Sequence, residues 1–476
     1  MASAPAFLLL LALGSFLCLH IGFGLPFAPA VAVCLLLSSG WGLVGTTKPN
    51  PSSGAVVACL FLIAAIGIGV VSYKTAGSVA DAERIETTAT VISSRGWGLG
   101  AVALVHSRKP SRTFLLKLDG TPPEQGDIIS LSGRLRPFER SKTMRTFDEF
   151  FYWRAKGAIG YLENPRIARL GSAGGFARWR RLLSERIVET LPPLSAGYML
   201  AITTGEREAS VASLHRAAGT SHLLAVSGFH VGIVWALAWM AFRRLRSRLI
   251  LISLCIWLYV FLSGAAPSAL RAAFMIQLLI LGRMAGRGKG NSFNTVSMAG
   301  VALLLLNPWL FWDVGWRLSM LAVLSITSIA DRASASPITK TLWAGALVWL
   351  ATSLQASWTF GEVPLSGLIL NFIALPAFSA LYPLAIILSI PALLGLPGGY
   401  VLALLPEFFF RRWETLSTNV VYLLPSTVAF SWPFMLAGSA VIVFFFARAC
   451  GFSQHRALIP ATLMPALVAL LLSWTI

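Results

Sequence analysis

Apolar runs of membrane-spanning length recur along most of this chain and stop for one long polar interval. A bilayer core takes about 20 apolar residues per spanning helix. On that measure the pattern predicts spans near residues 5–23, 27–46, 55–73, 220–242, 249–264, 267–283, 294–306, 309–328, 341–360, 364–392, 415–425, 432–448 and 457–475. Between about residues 74 and 186 the helical period gives way to short alternating runs with turn residues between them. Residues 87–94, 102–106, 113–118, 127–135 and 158–163 read as strands, with Asp119-Gly120 and Gly126-Asp127 as turn signals. The expected fold is a polytopic α-helical membrane protein with an inserted small extracytoplasmic all-β domain. Five short strands suit a closed barrel such as an OB-fold, and an open sandwich fits the same pattern.

This reading divides the chain into N-terminal transmembrane helices (1–73), an external OB-like domain (74–173), an amphipathic linker helix (174–192), a core transmembrane domain (193–400) and C-terminal transmembrane helices (401–476). Composition agrees: of 476 residues 56% are hydrophobic and only 12% charged, and the mean hydropathy is +0.74, which excludes an ordinary soluble domain. No basic residue precedes Lys48 and two further apolar segments follow the first, so the N-terminus reads as a retained span rather than a cleaved signal. Cys18, Cys34, Cys59, Cys255 and Cys450 all lie in or beside apolar segments, where cysteine behaves as a small hydrophobe. Neither a disulfide framework nor a cysteine metal cluster is expected.

Excess Lys and Arg in short loops marks the cytoplasmic side. With the N-terminus inside, Lys48, the Arg243/Arg244/Arg246/Arg248 loop and the Arg283/Arg287/Lys289 loop all fall in the cytoplasm, and the β domain falls outside. Arg178, Arg180 and Arg181 dissent by sitting near the outer face. The formal net charge of +19 gives the protein a preference for polyanions or anionic lipid, part of which topology explains.

Polar chemistry concentrates at a few places. Residues 220–234, TSHLLAVSGFHVGIV, put His222, Ser227, His230 and two glycines inside an apolar segment, where they are costly unless they face a wet or protein-filled interior. The two imidazoles lack a convergent carboxylate or thiolate, so no metal site is read from them. Histidines that hydrogen-bond between helices are the plainer reading. Asp313 and Arg317 stand four apart, close enough to pair on one helical face, and Arg271 follows Pro267 near a proposed hairpin turn. For these charges structural fastening and pathway lining are both open. Pro364, Gly367, Asn371, Pro376, Pro383 and Pro391 interrupt one long apolar run, as broken helices lining a pathway do, with ordinary proline kinks as the alternative.

From Arg134 to Arg181 twelve Lys or Arg face four Asp or Glu, with aromatic residues between them. Basic groups interleaved with aromatic faces suit single-stranded nucleic acid. Arg134, Arg136, Arg140, Lys142, Arg145, Trp153, Arg154 and Lys156 are the candidate DNA contacts. A solvated basic face plus an amphipathic helix on anionic headgroups fits equally. No P-loop, H-E-x-x-H motif or two-metal cluster is visible, so neither enzymatic activity nor a cofactor is expected.

The motifs SHLLAVSGFHVGI (221–233), PSALRAAFM (267–275), NPWLFWDVGWRLSMLAVL (307–324) and PLSGLILNFIALP (364–376) resemble, in order, those of the ComEC competence proteins, bacterial inner-membrane channels for transforming DNA. SGRLRPFE (132–139) and FDEFFYWRAKGAIGYL (147–162) look like the end of that family's external OB-like domain. The resemblance implies a multi-pass protein of the plasma membrane, a DNA substrate imported as a single strand, an external DNA receptor and a cytoplasmic ATP-driven motor. On this reading His222, Ser227, His230, Arg271, Asp313, Arg317 and Asn371 line a passive conduit. Many family members carry a C-terminal metallo-β-lactamase-like domain, and no H-x-H-x-D-H pattern for it occurs here. Two rival functions use the same scaffold: transport of a small anionic or amphipathic solute, and a non-transporting membrane scaffold.

Overall fold

The computed structural model describes residues 5–17, 83–97, 100–109, 111–140, 148–172, 174–284, 292–330, 336–425 and 427–473, with isolated positions 21, 30, 31, 34 and 65. Apart from those positions, the spans expected at 27–46 and 55–73 lie outside the described residues, as do Lys142 and Arg145. Helix α1 (Pro5–Leu17) precedes strands β1 (Glu83–Trp97), β2 (Gly100–Arg108), β3 (Ser111–Leu118) and β4 (Asp127–Arg136), short helix α2 (Glu149–Ala155), and strands β5 (Ala158–Glu163) and β6 (Arg166–Ser172). Then come α3 (Phe176–Thr190), α4 (Pro193–Thr203), α5 (Ala209–Ala217), α6 (Gly228–Phe242), α7 (Arg248–Leu262), α8 (Pro267–Met284), α9 (Ser292–Leu306), α10 (Val314–Ala330) and α11 (Pro337–Phe360). Last are β7 (Val363–Pro364), α12 (Ser366–Leu393), α13 (Gly399–Leu423), β8 (Thr427–Val428), α14 (Trp432–Ala449) and α15 (Gln454–Ser473).

Two compact units interleave along the chain. One comprises Tyr73–Leu270 and Ile369–Pro425; the other comprises Met1–Ser72, Arg271–Leu368 and Ser426–Ile476. Two helices, Ser366–Leu393 and Trp432–Ala449, are long and apolar enough to cross a membrane by length and composition, and six shorter apolar helices accompany them among the described residues.

In the first unit β1 serves two neighbours: residues 83–90 pair with β4 and residues 89–97 with β2, with a register shift between Val91 and Ser93. β2 pairs with β3, β3 with β5 in parallel, and β5 meets β4 at Leu135/Leu162. The circuit β1-β2-β3-β5-β4-β1 therefore closes, and β6 extends it along β4. Inward positions two apart, such as Ala103 and Val105, Phe114 and Leu116, or Ile129 and Leu131, form the barrel core. The opposite face of β2 and β3 is buried as well, because Trp153 of α2 packs with Val102, Leu104, Leu115 and Phe138. Double burial explains the near-continuous apolar runs of these two strands.

The helices of this unit pack around Tyr198, Phe378, Tyr382 and Phe410. The expected span at 220–242 divides: a 3-10 turn covers Ser221–Leu223 and α6 starts only at Gly228. The interruption expected at Pro376, Pro383 and Pro391 is absent, since α12 runs as one helix through all three. Proline removes one ladder bond and crowds the preceding turn, and within an apolar bundle neighbouring groups and local adjustment make that tolerable. Helix α13 begins well before the expected span at 415–425, its apolar first turns separated from that span by Glu407, Arg411, Arg412 and Glu414 in mid-helix.

The second unit holds α1 against α9 through Phe7 and Phe293, whose ring centroids lie 4.8 Å apart, and through the Ala6 N–H donating to Asn294 Oδ1 at 2.9 Å. The span expected at 309–328 also divides, into a 3-10 turn at Pro308–Trp312 and α10 from Val314, with Asp313 at the junction. β7 and β8 pair through Val363 and Val428.

Candidate functional site: a side-chain-supported break between α5 and α6

Helix α5 ends at Ala217 with Ala218 as its cap, and Gly219 just beyond has a φ of 66° that suits a residue without Cβ; the Gly219 N–H returns to Arg216 O and the Thr220 N–H to His215 O. Residues 220–227 then cross to α6 with only the 3-10 turn at Ser221–Leu223 for backbone pairing, and side chains, some distant in sequence, supply what the ladder would have given. Thr220 Oγ1 meets His215 Nδ1 at 2.8 Å, and His215 Nε2 meets Tyr198 Oη at 2.8 Å. Tyr198 is stacked on Phe410, with centroids 4.1 Å apart. The Tyr382 hydroxyl donates to Leu223 O at 2.9 Å, and Ser268 Oγ donates to Val226 O. Burial pulls His215 down to about 4, so at neutral pH it is an uncharged link between two hydroxyls.

Ser227 is the N-cap of α6 in extended conformation. Its N–H donates to His230 Nδ1 at 3.3 Å, and its hydroxyl lies 3.1 Å from the same nitrogen. Accepting that bond assigns the ring proton to Nε2. His230 is 3% exposed, and its Nε2 has no hydrogen-bond partner. It lines a groove of about 390 Å³ whose other walls are mostly apolar, with Phe242, Cys255, Tyr259 and Thr203 among the aliphatic side chains. His222, on the 3-10 turn, is exposed. The two histidines therefore do not share a helix. Asn371, in the first turns of α12, is half-buried with Oδ1 unsatisfied.

Supporting the same unit, the Glu407 carboxylate accepts the Ser195 N–H at 2.7 Å, capping α4, and pairs with Arg411 at 3.2 Å. Tyr259 donates to Ile202 O at 2.7 Å. Tyr198, His215, Tyr259, Ser268, Tyr382 and Glu407 escaped the sequence reading. A signal existed for the tyrosines: each stands in an apolar run, and a buried Tyr hydroxyl usually finds a partner.

In the other unit Arg271 is fully buried and donates to Trp316 O at 3.5 Å. Asp313 Oδ1 accepts the Trp316 N–H at 2.7 Å, and its charge acts on Arg271. Asp313 is thus the cap of α10 rather than a residue on its face, which corrects the i,i+4 geometry expected for Asp313 and Arg317. Half-buried Arg317 reaches Trp312 O at 3.5 Å.

On the barrel the candidate DNA contacts separate. Trp153 is 2% exposed and Arg154 6%. Trp153 belongs to the core under α2, and the Arg154 guanidinium lies 5.4 Å from the Phe150 ring centroid, so neither offers a face to a base. Burial lowers Arg154 from its ordinary pKa. Arg134, Arg136, Arg140 and Lys156 are exposed. Arg136 pairs with Glu163 at 3.3 Å, Arg140 lies over Phe151 and Lys156 over Tyr152. Arg134 stands opposite Arg84 in the β1–β4 register, and both are exposed.

Helix α3 does not lie with a simple apolar face inward. It buries Arg180, Ser184 and Ile187, while Trp179 is 64% exposed. Arg180 sits under the α7–α8 turn, where a Cβ on Gly264 would collide with its Nη1. Burial lowers the Arg180 pKa and Glu206 opposes that shift.

A family model described as "Competence protein" matches residues 202–467, more than half of the chain and all of the break from α5 to α6. The chain belongs to the competence-protein family. Among relatives of this competence protein, "ComE operon protein 3" of Bacillus subtilis (strain 168) is 37% identical over 143 residues, 29% of this chain and 18% of that protein. "Competence protein ComA" of Neisseria gonorrhoeae is 30% identical over 264 residues, 49% of this chain and 37% of that one. The alignments thus span well under half the length of these relatives. No solved structure matches. The family assignment agrees with the ComEC resemblance of the sequence motifs, and the barrel lies outside the residues matched by the family model.

Proposed function

We propose that this chain is a multi-pass protein of the bacterial plasma membrane that carries single-stranded transforming DNA inward during competence. The observation that carries the reading is the break at residues 220–227, whose carbonyls at Leu223 and Val226 are held by Tyr382 and Ser268. Irregular backbone at membrane depth is tolerated only where protein buries it or where it borders a water-filled cavity, and transporter sites use such breaks. The family match covers this break, and exposed apolar residues on α12 and α13, among them Ile373, Ile387, Val401 and Phe408, suit a lipid surround.

The barrel lies on the extracytoplasmic side and gathers DNA. Its strand circuit supports an OB-type assignment, a fold that binds oligonucleotides through the β2–β3 face and adjoining loops. Here α2 covers that face, so the β1–β4 side bearing Arg84 and Arg134 is the available phosphate-binding surface. A DNA receptor outside and an ATP-driven motor inside complete the path, and the chain acts as a passive conduit rather than an enzyme.

The test is DNA import in a competent host lacking the gene. Import is restored by this chain and lost, at matched membrane abundance, with Ser227→Pro, which cannot donate to His230. Full import by a strain carrying only the Ser227→Pro protein would overturn the proposal.

A further inference from the structure

The groove beside α6 and the turn that follows it form a second feature, distinct from the break. The groove runs along α6 from His230 to Phe242, with Ile233, Leu237 and Ala241 on one wall, Cys255 of α7 opposite and Ile386 of α12 closing it. About twelve helical steps extend about 18 Å, close to one leaflet of a hydrocarbon core about 30 Å thick. Beyond the groove, Met240, Ile250, Leu254 and Leu258 continue an exposed apolar surface.

At its Phe242 end the chain turns through Arg243, Arg244, Leu245, Arg246 and Ser247 into α7. The Leu245 N–H bonds back to Phe242 O and the Arg248 N–H to Leu245 O, and the Arg248 guanidinium lies 4.7 Å from the Trp239 ring centroid, so the turn is ordered. Arg243, Arg244 and Arg246 are exposed. Among the described residues no carboxylate forms an ion pair with any of the three. Three uncompensated guanidinium groups therefore sit at the Phe242 end of a mostly apolar groove one leaflet long.

We propose that the α6–α7 hairpin binds an anionic phospholipid, with the acyl chain in the groove and the phosphate held by Arg243, Arg244 and Arg246. Guanidinium groups recognise phosphate in bidentate fashion, and juxtamembrane arginines attract anionic headgroups. A nucleic acid would use the charge but has no alkyl part to fill the groove. Neutral phospholipid would fill the groove but leave the charge unused. The combination selects a lipid that is both.

Cys255 on the groove wall provides a readout in the unaltered protein. The full chain, delipidated in detergent, is alkylated with an apolar maleimide, and modification of Cys255 is quantified by peptide mass. Long-chain phosphatidylglycerol is expected to protect Cys255 at concentrations at least about fivefold lower than phosphatidylcholine of the same chains. Dihexanoyl phosphatidylglycerol is expected to protect poorly. In the triple variant Arg243→Gln, Arg244→Gln, Arg246→Gln, the two long-chain lipids become equivalent. Equal protection by both lipids in the unaltered chain, or none by either, overturns the proposal. So does release of bound lipid by a short single-stranded oligonucleotide, which would assign the arginines to nucleic acid.

Discussion

Tyr382 donates its hydroxyl to the carbonyl of Leu223, 159 residues earlier in the chain, at 2.9 Å. Tyr382 is fully buried, so solvent does not replace the bond. Leaving a buried acceptor unmatched costs about 1–3 kcal/mol. Tyr382→Phe is expected to lower stability by that amount and to reduce DNA import at equal abundance. Denaturation in detergent and a transformation assay measure the two effects, and an unchanged value in both would remove this bond from the account of the break.

Arg271 and Asp313 meet at Trp316, one at its carbonyl and the other at its N–H. Loss of an N-cap costs about 1 kcal/mol. Asp313→Asn, which keeps a cap oxygen, should destabilise the protein less than Asp313→Ala. Equal midpoints of denaturation for the two variants would show that the cap contributes nothing.

Acid should loosen the first unit through His215. An ordinary histidine titrates near 6.5, whereas burial takes His215 to about 4. The unfolded chain therefore binds a proton that the folded chain refuses between these values. Stability contributed by the neutral ring is complete above about pH 6.5 and declines as pH falls to about 4, by at most about 3 kcal/mol. His215→Gln should flatten that part of the stability profile; a slope identical to the parent's would assign the acid sensitivity to other groups.

The barrel separates fold from binding. Trp153→Ala, removing a side chain from the core under α2, should cost about 3–5 kcal/mol. Arg134→Ala should leave the midpoint unchanged while reducing the salt slope of single-strand binding by about 0.7. Circular dichroism melts and oligonucleotide titrations of the full chain distinguish the two. A salt slope untouched by Arg134→Ala would turn attention away from the β1–β4 side.

The five strands read from alternation reappear within two or three residues at most ends, apart from the longer β1, because the barrel core imposes a period of two on them. β6 was invisible since it pairs only along β4 and exposes nearly all its residues. Helices α4 and α5 were missed for a different reason: each is short, and their polar residues, including His215 and Ser195, are satisfied by distant partners that local periodicity does not encode. The same limit produced the error at Trp153 and Arg154. Composition marked a basic, aromatic stretch, but only packing decides which of its faces is covered. His222, Ser227 and His230 are polar residues in an apolar run, and the division of that run at Gly228 leaves His222 outside the α6 cap.

The interleaving of the two units governs the order in which the protein can be completed. A ribosome finishes the barrel and α3 through α7 early, yet Tyr382 and Glu407, which hold Leu223 and Ser195, emerge only after Arg271–Leu368 has been made. During translation the nascent break must wait with its Leu223 carbonyl unmatched, so a stop codon anywhere before α13 would strand both units half-built instead of releasing one finished domain.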